Sequence, residues 1–203
     1  MKKLHNKKLY YEVTRKVEQI VPCNFGLVCK ENKSLNEYYP DGEIEKSEKV
    51  GLVTIKLAEL FNVALVDVLN KHGINAKVKC NNKGDLTINN EPWELKTTQG
   101  KNFQGSTHAS NKCNNYILIK YKLDYDKKLD NSNKGLIKEL FVCVFEGLNN
   151  SWWKGTASHN NSRTTLKIPI SEWNNYNNYV IVGSLNNLNR RNLKYCRSLR
   201  ETI

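Results

Sequence analysis

The sequence predicts an α/β chain of the mixed α+β kind, with one central mixed β-sheet flanked by helices. Three observations carry that expectation. The run LVTIKLAELFNVALVDVLNKHG, residues 52–73, repeats its apolar positions at helical spacing. Beyond it, short apolar segments of strand length alternate with polar, turn-rich stretches, and few helical insertions separate them. A length of 203 residues suits one domain, 1–203, able to bury a real core.

Residues 1–22 are expected to form a helix that ends at Pro22. Residues 23–48 read as irregular, with Pro40-Asp41-Gly42 a turn signal. Within 52–73, Leu57, Leu60, Phe61, Ala64, Leu65, Val68 and Leu69 recur at helical spacing, and His72-Gly73 supplies a stop. Residues 74–80 read as a strand. After a polar loop over 99–115 come strands at 116–123 and 136–145. Residues 151–165 form a loop dense in Trp, Lys, Asn and Ser, 166–170 a short strand, and 180–182 a last one. Ser171-Glu172-Trp173 can open a short helix, because serine is a favoured cap.

The segment GDLTINNEPWELKTT, 84–98, has period-2 character on both sides of Asn89-Asn90, which reads as a hairpin turn. With those two residues as the loop, Ile88 faces Glu91, Thr87 faces Pro92, Leu86 faces Trp93 and Asp85 faces Glu94. Leu86, Ile88, Trp93, Leu95 and Thr97 then share one side; Asp85, Thr87, Glu94, Lys96 and Thr98 share the other. Like charges directly opposite on a sheet are destabilising. Something positive must therefore sit between Asp85 and Glu94, either Lys96 from two residues along the same face or a divalent cation.

The bulk composition narrows the partners. Lys+Arg total 32 against Asp+Glu 20, a formal charge of +12, which points to a polyanion and foremost to nucleic acid. No stretch is long and apolar enough to span a bilayer, so no membrane partner is expected, and no basic amphipathic helix stands out. The start, MKKLHNKKLYYEVTRKVEQI, lacks the uninterrupted apolar region of a secretory signal, so a cytoplasmic location is expected. The six cysteines form no C-x-x-C, and the four histidines give no zinc spacing beside them, so reduced, buried thiols are expected. Paired asparagines cluster over 149–192, a bias that an AT-rich coding sequence also produces. No internal repeat is present.

Asp85, eight intervening residues, then Glu94-Leu95-Lys96 resembles the signature of the PD-(D/E)XK nuclease superfamily, an acid on one strand and (D/E)-x-K on the next. The following FQGSTHASNKCNNYILIKY, 103–121, puts a Ser-Thr-His loop before a strand ending in Lys-Tyr, a succession similar to that of type II restriction endonucleases. The resemblance runs over roughly 84–121. Two departures stand out: Gly84 occupies the position of the signature proline, and the loop continues as His108-Ala109-Ser110 without a run of histidines.

The resemblance implies a restriction-endonuclease-like fold and a Mg²⁺-dependent cut in double-stranded DNA. Asp85, Glu94 and the Leu95 backbone carbonyl would hold the metal, and Lys96 would position or deprotonate the attacking water. Glu59, on the helix before the hairpin, would be an auxiliary acid. The chemistry asks for such a set on its own account: Mg²⁺ binds through one or two carboxylates plus substrate phosphate oxygens, and it acidifies a bound water. A lysine close to a dication can have a lowered pKa that suits a base.

Contacts to DNA are expected from Ser106, Thr107 and His108, with Lys101, Gln104, Asn111 and Lys112 flanking them. Lys154 and Arg163, near Trp152, Trp153, Asn160 and Asn161, form a second candidate DNA-facing loop. Arg190, Arg191, Arg197 and Arg200 are a solvated helix face or phosphate contacts. Two strands cut symmetrically call for a homodimer. Residues 51–203 would be the catalytic core, and 1–50 a subregion for dimerisation or DNA contact. Two other readings fit the residues: a repair or junction-resolving nuclease of the same superfamily, and a non-catalytic DNA-binding module whose carboxylates are structural. For Asp85, Glu94 and Lys96 the plain alternative is an exposed hairpin face with a cross-strand ion pair.

Overall fold

The computed structural model describes residues 3–21, 46–79, 84–100, 102–106, 113–124, 135–155, 163–169, 172, 175 and 178–183, with the backbone alone for 46–56, 105, 106 and 163. Helix α1 (Lys7–Ile20) begins at Asn6, whose side chain accepts from the Lys8 N–H, and buries Leu9, Tyr10, Val13, Thr14, Val17 and Glu18 along one stripe. Helix α2 (Lys46–Lys71) begins six residues before the expected start at 52. It buries Leu57, Phe61, Ala64, Leu65, Val68 and Leu69. Its end is set by Gly73 at φ 69°, the left-handed position of a helix stop, where the Ile74 N–H donates to the Leu69 carbonyl at 2.9 Å and the Gly73 N–H to the Asn70 carbonyl at 3.0 Å. The two helices lie against each other, tied outside by Lys16–Asp67 at 2.7 Å and Glu12–His72 at 3.1 Å.

The strands are β1 (Ala76–Val78), β2 (Leu86–Ile88), β3 (Glu91–Thr98), β4 (Gln104–Ser106), β5 (Tyr116–Leu123), β6 (Ile137–Phe145), β7 (Trp153–Gly155), β8 (Arg163–Leu166) and β9 (Val180–Val182). Six of them form one mixed sheet in the order β1-β2-β3-β5-β6-β9, with β3 and β5 parallel and the other pairs antiparallel. The expected α+β class, a mixed sheet with helices, is what the chain adopts.

A second sheet, β4-β8-β7, was not expected. β4 falls inside the stretch read as loop 99–115, and β7 and most of β8 fall inside 151–165. β8 also ends at Leu166, where a strand over 166–170 was expected; 167–169 are irregular. Of the expected helix at 171–173 only Glu172 lies within the described residues, as does none of the turn at 40–42 or the segment 190–200.

The large sheet is buried on both faces. Ile117, Ile119, Tyr121, Val142 and Val144 meet the helices, with Phe61 tilted against Tyr121 at 5.2 Å between ring centroids. Their strand neighbours Tyr116, Leu118, Phe141, Cys143 and Phe145 pack on the other side with Phe103, which leads into β4, and with Trp153 and Leu166 of the small sheet. That double burial explains why β5 and β6 read as near-continuous apolar runs instead of alternating ones. Three layers result: helices, large sheet, small sheet. Among the described residues no helix is long and apolar enough to cross a membrane.

Candidate active site

The β2–β3 hairpin has the register expected from its sequence: Ile88 opposite Glu91, Thr87 opposite Pro92, Leu86 opposite Trp93. Asn89 and Asn90 sit at φ 50° and 67°, so the bend is a two-residue turn with both residues left-handed, where asparagine is one of the few tolerated side chains. Gly84, just before Asp85, is equally constrained. It stands at φ 103°, and a Cβ there would lie 2.8 Å from the Trp93 carbonyl oxygen. Gly84→Ala is therefore expected to cost about 2 kcal/mol, from a strained φ and a backbone collision. Urea denaturation checks this; an unchanged midpoint would mean that the hairpin shifts freely.

Trp93 and Leu95 are buried in the helix-side core, and Glu94 and Lys96 stand on the opposite face of β3. There Lys96 Nζ donates to Glu94 Oε2 at 2.5 Å and to Asp85 Oδ2 at 3.5 Å. Asp85 Oδ2 also accepts the Leu95 N–H at 3.1 Å. The ammonium thus lies between the two carboxylates that the register brings face to face.

Glu94 is 5% exposed, so its charge has left water. Burial pushes its carboxyl pKa up, the neighbouring Asp85 adds to that, and Lys96 opposes it without reversing it. Burial acts to lower the Lys96 pKa, but Asp85 and Glu94 together outweigh it and hold it above the ordinary lysine value. In the metal-free protein Lys96 is accordingly a firm cation. In a strand, the N–H and C=O of one residue leave by the same edge. The Leu95 N–H reaches Asp85, so its carbonyl also faces the Asp85 edge.

Asn115, which the sequence reading passed over as part of a loop, fixes Glu94 from the other side. Its carbonyl accepts the Glu94 N–H at 2.9 Å, its Nδ2 donates to the Pro92 carbonyl at 3.2 Å, and its Oδ1 accepts the Gly147 N–H at 3.1 Å. The Cys113 thiol donates to the same Pro92 carbonyl at 3.1 Å. One side chain therefore ties β3 to the turn after β6. Asn115→Ala is expected to remove one part-buried and one exposed hydrogen bond, costing about 1–2 kcal/mol, and to loosen Glu94. Chemical denaturation measures the loss.

The other candidates scatter. Glu59 lies on the exposed side of α2. It does not join Asp85 and Glu94: among the described residues no three or more His, Cys, Asp or Glu side chains are grouped to hold a metal. Gln104 and Ser106 belong to β4, Arg163 to β8 and Lys154 to β7, so both candidate DNA regions meet in the small sheet, where Ser106 pairs with Arg163. Lys101, Thr107, His108, Asn111 and Lys112 lie outside the described residues, as do Asn160 and Asn161.

The donor chemistry at this site is of the kind that suits a hard dication such as Mg²⁺. A cation, the Lys96 ammonium, already occupies the space between two carboxylates, and the donors on offer are hard oxygens, two carboxylates and a backbone carbonyl at one strand edge. Compared with known proteins, the chain matches no family model and no curated protein sequence.

Proposed function

We propose that the chain is a Mg²⁺-dependent endonuclease of the PD-(D/E)XK kind and of type II restriction character. It would hydrolyse phosphodiester bonds in double-stranded DNA at a specific sequence, acting as a homodimer in the cytoplasm. The observation that carries this reading is the convergence of Asp85, Glu94 and Lys96 on one face of the hairpin. The restriction-endonuclease-like character of the fold is part of the same proposal, supported by the position of the hairpin beside the parallel pair β3–β5. The charge of +12 supports a polyanionic substrate.

Asp85, Glu94 and the Leu95 carbonyl would hold the metal, which when bound polarises the scissile phosphate and acidifies a bound water. The two carboxylates supply the negative charge that makes a dication welcome there. Lys96, which lies within hydrogen-bond reach of both carboxylates, would orient the attacking water and offset the charge that grows on the phosphoryl oxygens. β3 holds all three groups on one strand and its turn partner, so little reordering is needed at the moment of reaction.

Metal binding requires ionised carboxylates. Burial raises the Glu94 pKa, so at a given acidic pH less of it is ionised than of an ordinary glutamate. Mg²⁺ loading is expected to weaken as pH falls, beginning above the usual carboxylate range; calorimetric Mg²⁺ titrations across pH check the direction. Incubation of the purified protein with long linear DNA and Mg²⁺ tests the substrate. Discrete fragments support site-specific cutting. Cleavage confined to branched or damaged DNA assigns the site to repair or junction resolution.

A further inference from the structure

One row of side chains crosses four strands of the large sheet at the level of the two acids. The Lys79 N–H donates to the Asp85 carbonyl at 2.9 Å, which extends the β1–β2 ladder by one pair and sets Lys79 opposite Asp85. Asp85 faces Glu94 across the hairpin, and Glu94 is the partner of Tyr116 in the parallel pair β3–β5. Lys79, Asp85, Glu94 and Tyr116 therefore stand side by side on one face, on strands about 4.8 Å apart. The row is open at one end and closed at the other. Side-chain exposure falls from 36% at Asp85 to 7% at Glu94, and Tyr116 is fully buried. Lys79 ends the row beside the edge strand β1 and is half-buried. At the closed end the Tyr116 ring packs against Trp153 of the small sheet, tilted, with ring centroids 5.5 Å apart. Burial pushes the Tyr116 phenol pKa up, and the Glu94 carboxylate adds to that, as its closeness requires. Leu118, the partner of Lys96, continues the same buried wall.

We propose that Tyr116 is a positioning residue for the dication: its ring, braced by Trp153, walls off the β5 side of Glu94 and keeps that carboxyl turned toward Asp85. The dication rests on the nuclease reading; the wall rests on register and packing. Lys96 cannot supply this orientation once the site is loaded, because a dication between the carboxylates takes the place that the ammonium holds. The direction of Glu94 then depends on what stands on its other side. An aromatic ring suits that task, since it has few rotatable bonds and the Trp153 ring limits them further. Mg²⁺ demands a near-ideal octahedral arrangement, whereas Ca²⁺ accepts a flexible one. A carboxylate fixed on one side therefore favours the smaller ion, and Tyr116 sets ion preference as well as affinity. The small sheet gains a part in the site by this route, because β7 carries the brace.

The test is calorimetric titration of the metal-free full chain with Mg²⁺ and, separately, with Ca²⁺, beside denaturation curves that show each variant to be folded. Tyr116→Leu is expected to lower Mg²⁺ affinity by about 10-fold or more, the usual effect of losing a group that orients a metal ligand, and to lower Ca²⁺ affinity by less. Tyr116→Phe, which keeps the ring, retains both affinities. Trp153→Leu leaves Tyr116 in place without its brace and shifts the Mg²⁺-to-Ca²⁺ ratio in the same direction by a smaller factor; it decides the matter if Tyr116→Leu does not fold. A tyrosine that served packing alone would move the denaturation midpoint and leave that ratio untouched. A folded Tyr116→Leu, or in its place a folded Trp153→Leu, with the wild-type ratio overturns the proposal and leaves the nuclease reading standing. Weakened Mg²⁺ binding in Tyr116→Phe also overturns it, because the hydroxyl and not the ring would then be at work. A wild type that binds neither ion overturns the metal site itself, and the nuclease reading with it.

Discussion

Glu94→Gln is expected to lower DNA cleavage by about 10³-fold or more, equivalent to about 4 kcal/mol of transition-state stabilisation, while the protein stays folded. The amide keeps the shape and still accepts a hydrogen bond from Lys96, but it cannot carry the charge that holds a dication. The stability side of the same change runs the other way. Glu94 is 5% exposed, and burial pushes its carboxyl pKa up. A group whose folded pKa is raised contributes most below its unfolded pKa and loses that contribution as pH rises through the folded value. At neutral pH the ionised side chain is thus a burden on the metal-free fold, and neutral glutamine removes it. Thermal melts in EDTA should show no loss of stability. Activity lost together with folding would instead mark Glu94 as structural.

Lys96→Met should be the mirror image. Cleavage falls by a similar factor, but metal-free stability at neutral pH also falls, by about 1–3 kcal/mol, because Glu94 loses its close charge partner. The wild-type lysine has a folded pKa raised by the two carboxylates. Its stabilising contribution is present below the unfolded value and disappears only as pH rises through the folded one, so it is fully present at neutral pH. Removing it exposes the behaviour of the carboxylates alone. The variant should gain stability on acidification, as Glu94 takes up a proton, and on Mg²⁺ addition at neutral pH, as a second cation replaces the first. Melting curves at several pH values, with and without Mg²⁺, read both effects. A variant indifferent to both would show that charge repulsion between Asp85 and Glu94 is not what Lys96 relieves.

The hairpin was legible in the sequence because its information is local. Asn89-Asn90 suits two consecutive positive φ values, and period-2 alternation fixes which residues share a face once the turn is placed. The convergence of Asp85, Glu94 and Lys96 follows from that register. The burial of 57–69 in α2 was equally legible from spacing. The small sheet was not, because β4 and β7 are three residues each, contain glycine, and pair with a strand made of Arg163, Thr164, Thr165 and Leu166, remote from β4 in sequence. Such strands are defined by their partners more than by their own pattern. Asn115 was invisible for a related reason: its side chain joins Pro92 to Gly147, 23 and 32 residues away. The parallel pairing of β3 with β5 also leaves no local mark, and Glu59 shows that a position on the right helix does not fix a side chain at the site.

The most direct measurement is cleavage of supercoiled plasmid by the purified full chain with Mg²⁺, beside the same reaction in EDTA and beside folded Glu94→Gln. The two carboxylates and the cation between them predict conversion to linear products with Mg²⁺ alone and none from either control. Folded wild-type protein that leaves plasmids of many sequences intact with Mg²⁺, or a Glu94→Gln variant that cuts as well as wild type, would contradict a catalytic role for the hairpin.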